Sequence, residues 1–290
     1  MNVHLIDGTY ELFRHFYALP SHRDHAGEEV AGVVGVLNSV LGLVRGGATH
    51  LGVATDHVVE SFRNRLYAGY KTGEGIDPAL WRQFHPLEDA LRSMGVRVWA
   101  MVDEEADDAL AAAAARAGAD PAVERVFICT PDKDLAQCVR GNRVVQLDRR
   151  TRAVRDEAGV REKFGVAPES IPDYLALVGD ASDGFPGLPG WGAKSAASVL
   201  AHYVHLDAIP KDAERWDVAV RGRAGLAASL RERWKDALLF RDLATLRTGA
   251  NVFEDVEELR WRGPAPDFAR TCEYLNAPEL LELALRLART

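Results

Sequence analysis

Residues 96–117 read VRVWAMVDEEADDALAAAAARA, an apolar run that passes through a knot of acids into an alanine-rich segment. The run is short, valine-rich and interrupted only by Arg97, which suits a buried strand. Alanine is the strongest helix former, so the second half predicts a helix. A buried strand that turns directly into a helix is one half of a strand–helix–strand unit, and its repetition builds a parallel sheet. Between strand and helix stands EEADD, Glu104 to Asp108. Acids in a first helical turn favour the helix dipole and cap exposed amides, so capping is the plain reading of this segment. Glu105 and Asp108 share a helix face, however, and the further acid Asp107 exceeds what capping needs. That excess points to a cation.

The same arrangement recurs along the chain. VHLI at 3–6 ends on Asp7, LGVAT at 51–55 ends on Asp56, and RVFICT at 125–130 leads to Asp132 and Asp134. Strand-like runs near 2–6, 50–55, 96–102, 125–130 and 143–147 alternate with helix-like segments near 30–46, 78–94, 105–118 and 132–140. The alternation predicts a parallel sheet with crossover helices. Sites in such sheets form at the carboxyl ends of the strands. Asp7, Asp56, Glu105, Asp107, Asp108, Asp132 and Asp134 are therefore expected to converge, joined by Asp180 and Asp183 of the GDASD segment. Crowded carboxylates need bound cations. An all-oxygen site without His or Cys suits Mg²⁺ or Mn²⁺, and a pair of such ions is common machinery for in-line attack on a phosphodiester. In TPDKDL the two aspartates flank Lys133; its plain reading is a helix cap with solvated charges, its functional one a cation site with a lysine turned toward phosphate.

Residues 177–200, LVGDASDGFPGLPGWGAKSAASVL, are the most specific stretch. Gly187, Gly190 and Gly192 permit close backbone approach, and the amides of a helix beginning near Ala193 can cradle a phosphate, with Lys194 adding charge. Such a helix–loop–helix grips a duplex backbone without reading sequence. The alternative is a helical corner whose glycines serve packing, with Trp191 as an apolar plug. Beyond residue 160 strand signals fade, and helices are expected near 168–179, 193–203, 226–246 and 278–289. The long stretch 60–77 carries Arg63, Arg65, Tyr70 and Lys71, and a loop of that length is often functional.

With 290 residues, 47% of them hydrophobic, the chain can bury a substantial core. No apolar run approaches the ~20 residues of a membrane helix, and the start lacks the basic region and cleavage site of a signal peptide. A cytoplasmic protein without a membrane partner is expected. The three cysteines are neither even in number nor spaced for zinc, and read as reduced thiols. The net charge of −8 neither supports nor excludes nucleic acid, because the nine acids above account for it and leave the remainder nearly balanced. A local basic surface is what matters.

Taken together, these segments resemble the bacterial 5′-nuclease family, which comprises the 5′→3′ exonuclease domain of DNA polymerase I and stand-alone flap endonucleases. The family's opening pattern hDGxxhhhRxFYALP is matched by IDGTYELFRHFYALP at 6–20, and SFR followed by GYK at 61–71. EADD at 105–108, TPDKDL at 130–135, GDASDGFPGLPGWGAKSA at 179–196 and LATLRT at 243–248 follow in order. The resemblance implies a PIN-like α/β nuclease core with a parallel sheet over residues 1–160, and an arch or clamp at about 60–90. It implies a helical DNA-binding region over 161–290, with a helix-three-turn-helix motif at about 168–203. It also implies that Asp7, Asp56, Glu105, Asp107 and Asp108 surround one Mg²⁺, that Asp134, Asp180 and Asp183 surround a second, and that Asp132 lies between the two, with Mn²⁺ able to substitute.

Lys71 matches the family's lysine near the scissile phosphate, Tyr70 the adjacent aromatic that stacks on a base of the frayed end, and Arg63 a basic residue at the foot of the arch. Two positions depart from the pattern. Glu74 stands where the family has the arginine of YKxxR, and Gly184 replaces the asparagine after SD, which is expected to loosen the loop beside Asp183.

The function implied is hydrolysis of DNA near free 5′ ends, flaps or nicks, in replication primer removal and DNA repair. Lys71, Asp132 and Asp134 carry the catalysis, while Arg63, Tyr70, Lys71, Gly187, Gly190, Gly192 and Lys194 hold DNA or an RNA–DNA primer. A monomer in the cytoplasm, associated with the nucleoid, is expected. Two alternatives compete. A PIN-like ribonuclease needs fewer acids and no duplex-gripping loop, so 179–196 argues against it. A non-catalytic DNA-structure-binding protein gains nothing from unneutralised carboxylates, which repel DNA.

Overall fold

β-branched runs closed by acids set the strands, and the segments between them carry the helices. The computed structural model describes residues 1–289. Its first elements are β1 (Asn2–Asp7), α1 (Gly8–Ala18), α2 (Ala31–Arg45), β2 (His50–Asp56), α3 (Phe62–Leu66), α4 (Pro78–Trp81), α5 (Phe84–Ser93), β3 (Arg97–Met101), α6 (Ala106–Ala119) and β4 (Arg125–Cys129). There follow β5 (Val144–Asp148), β6 (Ala153–Arg155), α7 (Glu157–Phe164), α8 (Ile171–Val178), α9 (Ala193–Tyr203), α10 (Arg223–Glu232), α11 (Trp234–Ala244), α12 (Phe268–Tyr274) and α13 (Pro278–Leu287). The chain divides into two compact units.

The first unit comprises Met1–Val59, Gly73–Thr130 and the segment from Thr248 onward. Its strands lie in the order β3-β2-β1-β4, and all three pairings are parallel. Val3, Leu5, Ile6, Leu51, Val53, Val126 and Ile128 are fully buried, as strands covered on both faces require. Small residues bring helices close to this sheet. Ala109 and Ala111–Ala114 of α6 are almost entirely buried, and a Cβ on Gly8 would fall 2.7 Å from a methyl of Val53. The register pairs Asp7 with Ala54 and Asp56 with Met101, so the acids after β1, β2 and β3 reach one edge of the sheet.

The second unit comprises Glu60–Thr72 and Pro131–Arg247. Ile171, Leu175, Leu177, Phe185, Trp191, Val199, Leu200, Trp216 and Phe240 form its core, into which Tyr70 also packs. β5 and β6 form an antiparallel hairpin. β6 was not foreseen, since its three residues are too few to show a period.

Other elements differ from expectation for local reasons. The helix expected over 78–94 is two, with α4 started by Asp77, whose side chain accepts from the Ala79 amide, and by Pro78 at its first turn. The helix expected over 226–246 is also two, because Arg233 leaves the helical region at φ −105°, ψ 25°. The expected helix at 132–140 is a single 3₁₀ turn over Asp134–Cys138. α1 and α7, not foreseen, are each capped at the N-terminus by an aspartate, Asp7 and Asp156.

Candidate active site

In the first unit Asp7, Asp56 and Asp108 each accept a hydrogen bond from a backbone amide near a helix start. Asp7 ends β1 at 6% exposure, with one carboxylate oxygen accepting from the Tyr10 amide at 2.8 Å and the other from the Thr130 hydroxyl at 3.0 Å. Asp56 ends β2, and its Oδ1 accepts from the Ala106 amide at 2.8 Å, at the start of α6. The Glu105 amide donates to Asp108 Oδ2 at 3.0 Å, and both residues are buried. Asp107 is half-buried. The capping expected of the 105–108 acids is thus present at Asp108, and Asp56 makes a similar contact to the start of α6. These contacts fix the orientation of the carboxylates.

The second unit holds the tighter cluster. Among the described residues, one set of three carboxylates offers oxygens within 4.8 Å of one another: Asp134, Asp180 and Asp183. Asp134 opens the 3₁₀ turn, and its amide donates to Asp132 Oδ1 at 3.0 Å. The Asp132 carbonyl accepts from Gln146 Nε2 at 2.5 Å. Asp180 Oδ1 accepts from the Ser182 amide at 2.9 Å, fixing the turn that delivers Asp183. Two lysines lie in the cluster. Lys71 Nζ is 3.0 Å from Asp183 Oδ1, and Lys133 Nζ is 2.5 Å from Asp180 Oδ2.

The electrostatics are those of a site short of positive charge. Burial, with the like charges of Asp132, Asp183 and Asp180, pushes the Asp134 carboxyl well above the ordinary carboxylate range. Burial alone would lower the Lys133 ammonium, but Asp134, Asp180 and Asp132 outweigh it and hold its pKa above the usual lysine value. Asp134 Oδ1 is buried without a hydrogen-bond partner. A buried, orphaned carboxylate oxygen among three converging acids fits a hard divalent cation, and the all-oxygen donor set fits it equally.

The residues expected to meet DNA divide into exposed and buried groups. Lys194 is exposed on the first turn of α9, and Gly190 and Gly192 leave open space where a Cβ would stand. The Ser195 hydroxyl bridges the Gly192 amide and carbonyl. A groove of about 540 Å³ runs past Gly190, Gly192, Lys194 and Ser198 to Arg221. Sequence reasoning missed Arg221, which lies 27 residues along the chain from Lys194 and joins it only through tertiary structure.

Arg63 is turned inward. At 1% exposure its guanidinium donates to the carbonyls of Leu243 and Thr245, so here it ties α3 to the end of α11 instead of presenting charge to a phosphate. Tyr70, at 3% exposure in the apolar core, offers no ring face to a base in this conformation. Gly187 serves the protein's own backbone. At φ +69°, a Cβ there would fall 2.3 Å from the Gly179 amide nitrogen. Gly184 stands at φ +86° against the Gly69 carbonyl, where a Cβ would come within 2.1 Å.

Comparison with known proteins agrees with this geometry. The family model described as 5′-3′ exonuclease, N-terminal resolvase-like domain, matches residues 2–165, and the one described as 5′-3′ exonuclease, C-terminal SAM fold, matches residues 166–267. The chain belongs to the 5′-3′ exonuclease family. It is 30% identical over 294 residues to a 5′-3′ exonuclease of Buchnera aphidicola, across 99% of this chain and 96% of that one. It is 36% identical over 265 residues to DNA polymerase I of Pseudomonas aeruginosa, across 88% of this chain but only 28% of the polymerase. The chain thus spans less than a third of the DNA polymerase I relatives it matches. The flap endonuclease of bacteriophage T5, solved as a pseudo-enzyme-product complex with DNA and metal ions, shares the fold with a TM-score of 0.67 at 18% identity, each chain covered in full. The fold is therefore the expected PIN-like α/β core with a C-terminal helical region.

Proposed function

We propose that the chain is a structure-specific 5′-3′ exonuclease and flap endonuclease that hydrolyses DNA phosphodiesters near free 5′ ends, flaps and nicks. The observation that carries this reading is the trio Asp134, Asp180 and Asp183 with Lys71 and Lys133 beside it, in a member of the 5′-3′ exonuclease family. Support also comes from the T5 relative of the same fold, solved with DNA and metal ions.

Asp7, Asp56, Glu105, Asp107 and Asp108 would hold one Mg²⁺ and Asp134, Asp180 and Asp183 a second, with Asp132 between the two and Mn²⁺ able to substitute. Such ions, when bound, supply an acidified water and charge stabilisation at the phosphate. The chain's own residues do the rest. Asp132 and Asp134 keep their carboxylates fixed through the 3₁₀ turn. Lys71 and Lys133, relieved of their role as counter-ions, turn their ammonium groups to phosphate oxygens and stabilise the charge that develops there.

Lys194, Arg221 and the open backbone at Gly190 and Gly192 hold the duplex through its phosphates, so recognition follows shape and salt. Residues 161–290, with the helix-three-turn-helix motif at about 168–203, form this duplex-holding region, and the stretch at about 60–90 handles the 5′ strand. A monomer working on nucleoid DNA, removing RNA primers and repair flaps, fits the reading. Among the described residues no helix is long and apolar enough to cross a membrane.

The test is incubation with a 5′-flap duplex labelled at its 3′ end, with Mg²⁺ or with EDTA, beside a matched single-stranded RNA. Incision near the flap junction with Mg²⁺ alone is expected. RNA cleavage without flap cleavage would replace this reading with a ribonuclease.

A further inference from the structure

Glu88 on α5 is a buried carboxylate, 2% exposed, that none of the acid motifs includes. Its two oxygens reach both neighbours of one acid. The Thr55 hydroxyl donates to Oε1 at 2.8 Å, and His57 Nδ1 lies 2.9 Å from Oε2. Residues two apart on an extended chain share a face, and the residue between them faces the other way. Gripping Thr55 and His57 from one side therefore leaves Asp56 directed to the opposite side, where its Oδ1 meets the Ala106 amide at 2.8 Å. His85, one turn before Glu88 on α5, closes the grip. Its ring stacks on His57 with centroids 4.1 Å apart and planes 10° from parallel, and its Nε2 lies 3.3 Å from the His57 carbonyl. Arg92 adds only a distant charge, 3.8 Å from Oε2.

We propose that Glu88 is a positioning residue for Asp56, clamping the residues on either side of it so that its carboxylate is preset for a divalent cation. The inference rests on the reading of Asp56 as a cation ligand. Stability alone is a poor reason to keep this group, because a buried carboxylate carries a desolvation penalty that an apolar residue of similar size avoids. What the carboxylate adds is a two-point hold at the end of β2, the strand whose last residue carries the ligand.

The test is titration of the DNA-free protein with Mn²⁺, followed by electron paramagnetic resonance, for wild type, Glu88→Gln and Glu88→Ala. Partners that orient a ligand typically change metal affinity by 10–100-fold, and a partner acting through neighbouring residues belongs at the lower end. Glu88→Ala is expected to weaken one class of Mn²⁺ sites about tenfold and to lower kcat on a 5′-flap substrate with KM nearly unchanged. Glu88→Gln is expected to restore both, since the amide accepts from Thr55 and donates to an unprotonated His57 Nδ1. Wild-type affinity in Glu88→Ala overturns the proposal. If Glu88→Ala does not fold, Thr55→Val removes one arm of the clamp while keeping its shape, and unchanged Mn²⁺ affinity there overturns it equally. Because the titration uses no DNA, failure to cut flaps counts against the nuclease reading, while the clamp is still decided by Mn²⁺ affinity.

Discussion

Lys71 is tied twice to Asp183: its amide donates to the Asp183 carbonyl at 3.0 Å, and its ammonium lies 3.0 Å from the same residue's Oδ1. The backbone link fixes where the lysine starts, and the ion pair neutralises a carboxylate that a cation would otherwise claim. Lys133 forms an ion pair with Asp180 without the backbone link. Both ammonium groups offset the repulsion among the clustered carboxylates.

Lys71→Met should lower the single-turnover rate on a 5′-flap substrate at saturating Mg²⁺ about a hundredfold, the usual consequence of losing one charge-stabilising donor. Flap affinity should change only a few-fold. Rapid-quench measurement beside a binding titration separates the two, and a wild-type rate would remove Lys71 from the chemistry.

Asp134 makes a pH-dependent contribution to stability. Its folded pKa is raised by burial and by Asp132, Asp183 and Asp180, so the folded chain holds this proton more tightly than the unfolded one. The resulting stability is fully present below the ordinary carboxylate pKa and is lost as pH rises through the elevated folded value. In EDTA at neutral pH, Asp134→Asn should therefore be more stable than wild type by about 1 kcal/mol, a gain typical of relieving a strained functional site. The difference should close on acidification, and Mg²⁺ should stabilise the wild type more than the variant. Thermal melts across pH check this, and an Asp134→Asn protein less stable than wild type at neutral pH in EDTA contradicts it.

Arg63 and Lys194 should part company. Arg63→Met leaves the Leu243 and Thr245 carbonyls without their donor and should destabilise the protein by about 3 kcal/mol, with no change in the salt dependence of duplex binding. Lys194→Ala should leave stability alone and reduce the salt slope by about 1. Chemical denaturation and binding at several salt concentrations would expose a reversal.

Two glycines of one corner give a paired comparison. Gly187→Ala meets both a left-handed φ and the backbone of Gly179, whereas Gly190→Ala meets the φ but open space. The first should cost about 3 kcal/mol and the second about 1. Equal losses in urea unfolding would show that the corner relaxes.

Much of this was legible in the sequence because a buried parallel strand is a continuous apolar run, and in this chain the runs end on Asp7, Asp56, the 105–108 acids and Thr130 before Asp132. The four strands of the first unit lie within two residues of their expected limits. What the sequence did not disclose is which polar residues fold inward. Arg63 and Tyr70 lie in a stretch whose composition reads as an exposed loop, yet carbonyls more than 170 residues away take the arginine and an apolar core takes the tyrosine. Gly184 looked like a loosened position because only the tertiary fold brings Gly69 against it. Glu88 carried no signal, since a lone acid on an amphipathic helix resembles any solvated charge.

The most direct test of the account is the rate of 5′-flap incision as a function of Mg²⁺ concentration for wild type and Asp134→Ala. Saturable, EDTA-sensitive incision near the junction is expected of the wild type, and none of the variant at any Mg²⁺ concentration while its circular dichroism stays that of the wild type. Incision that survives EDTA, or a folded Asp134→Ala that cuts at the wild-type rate, would contradict it.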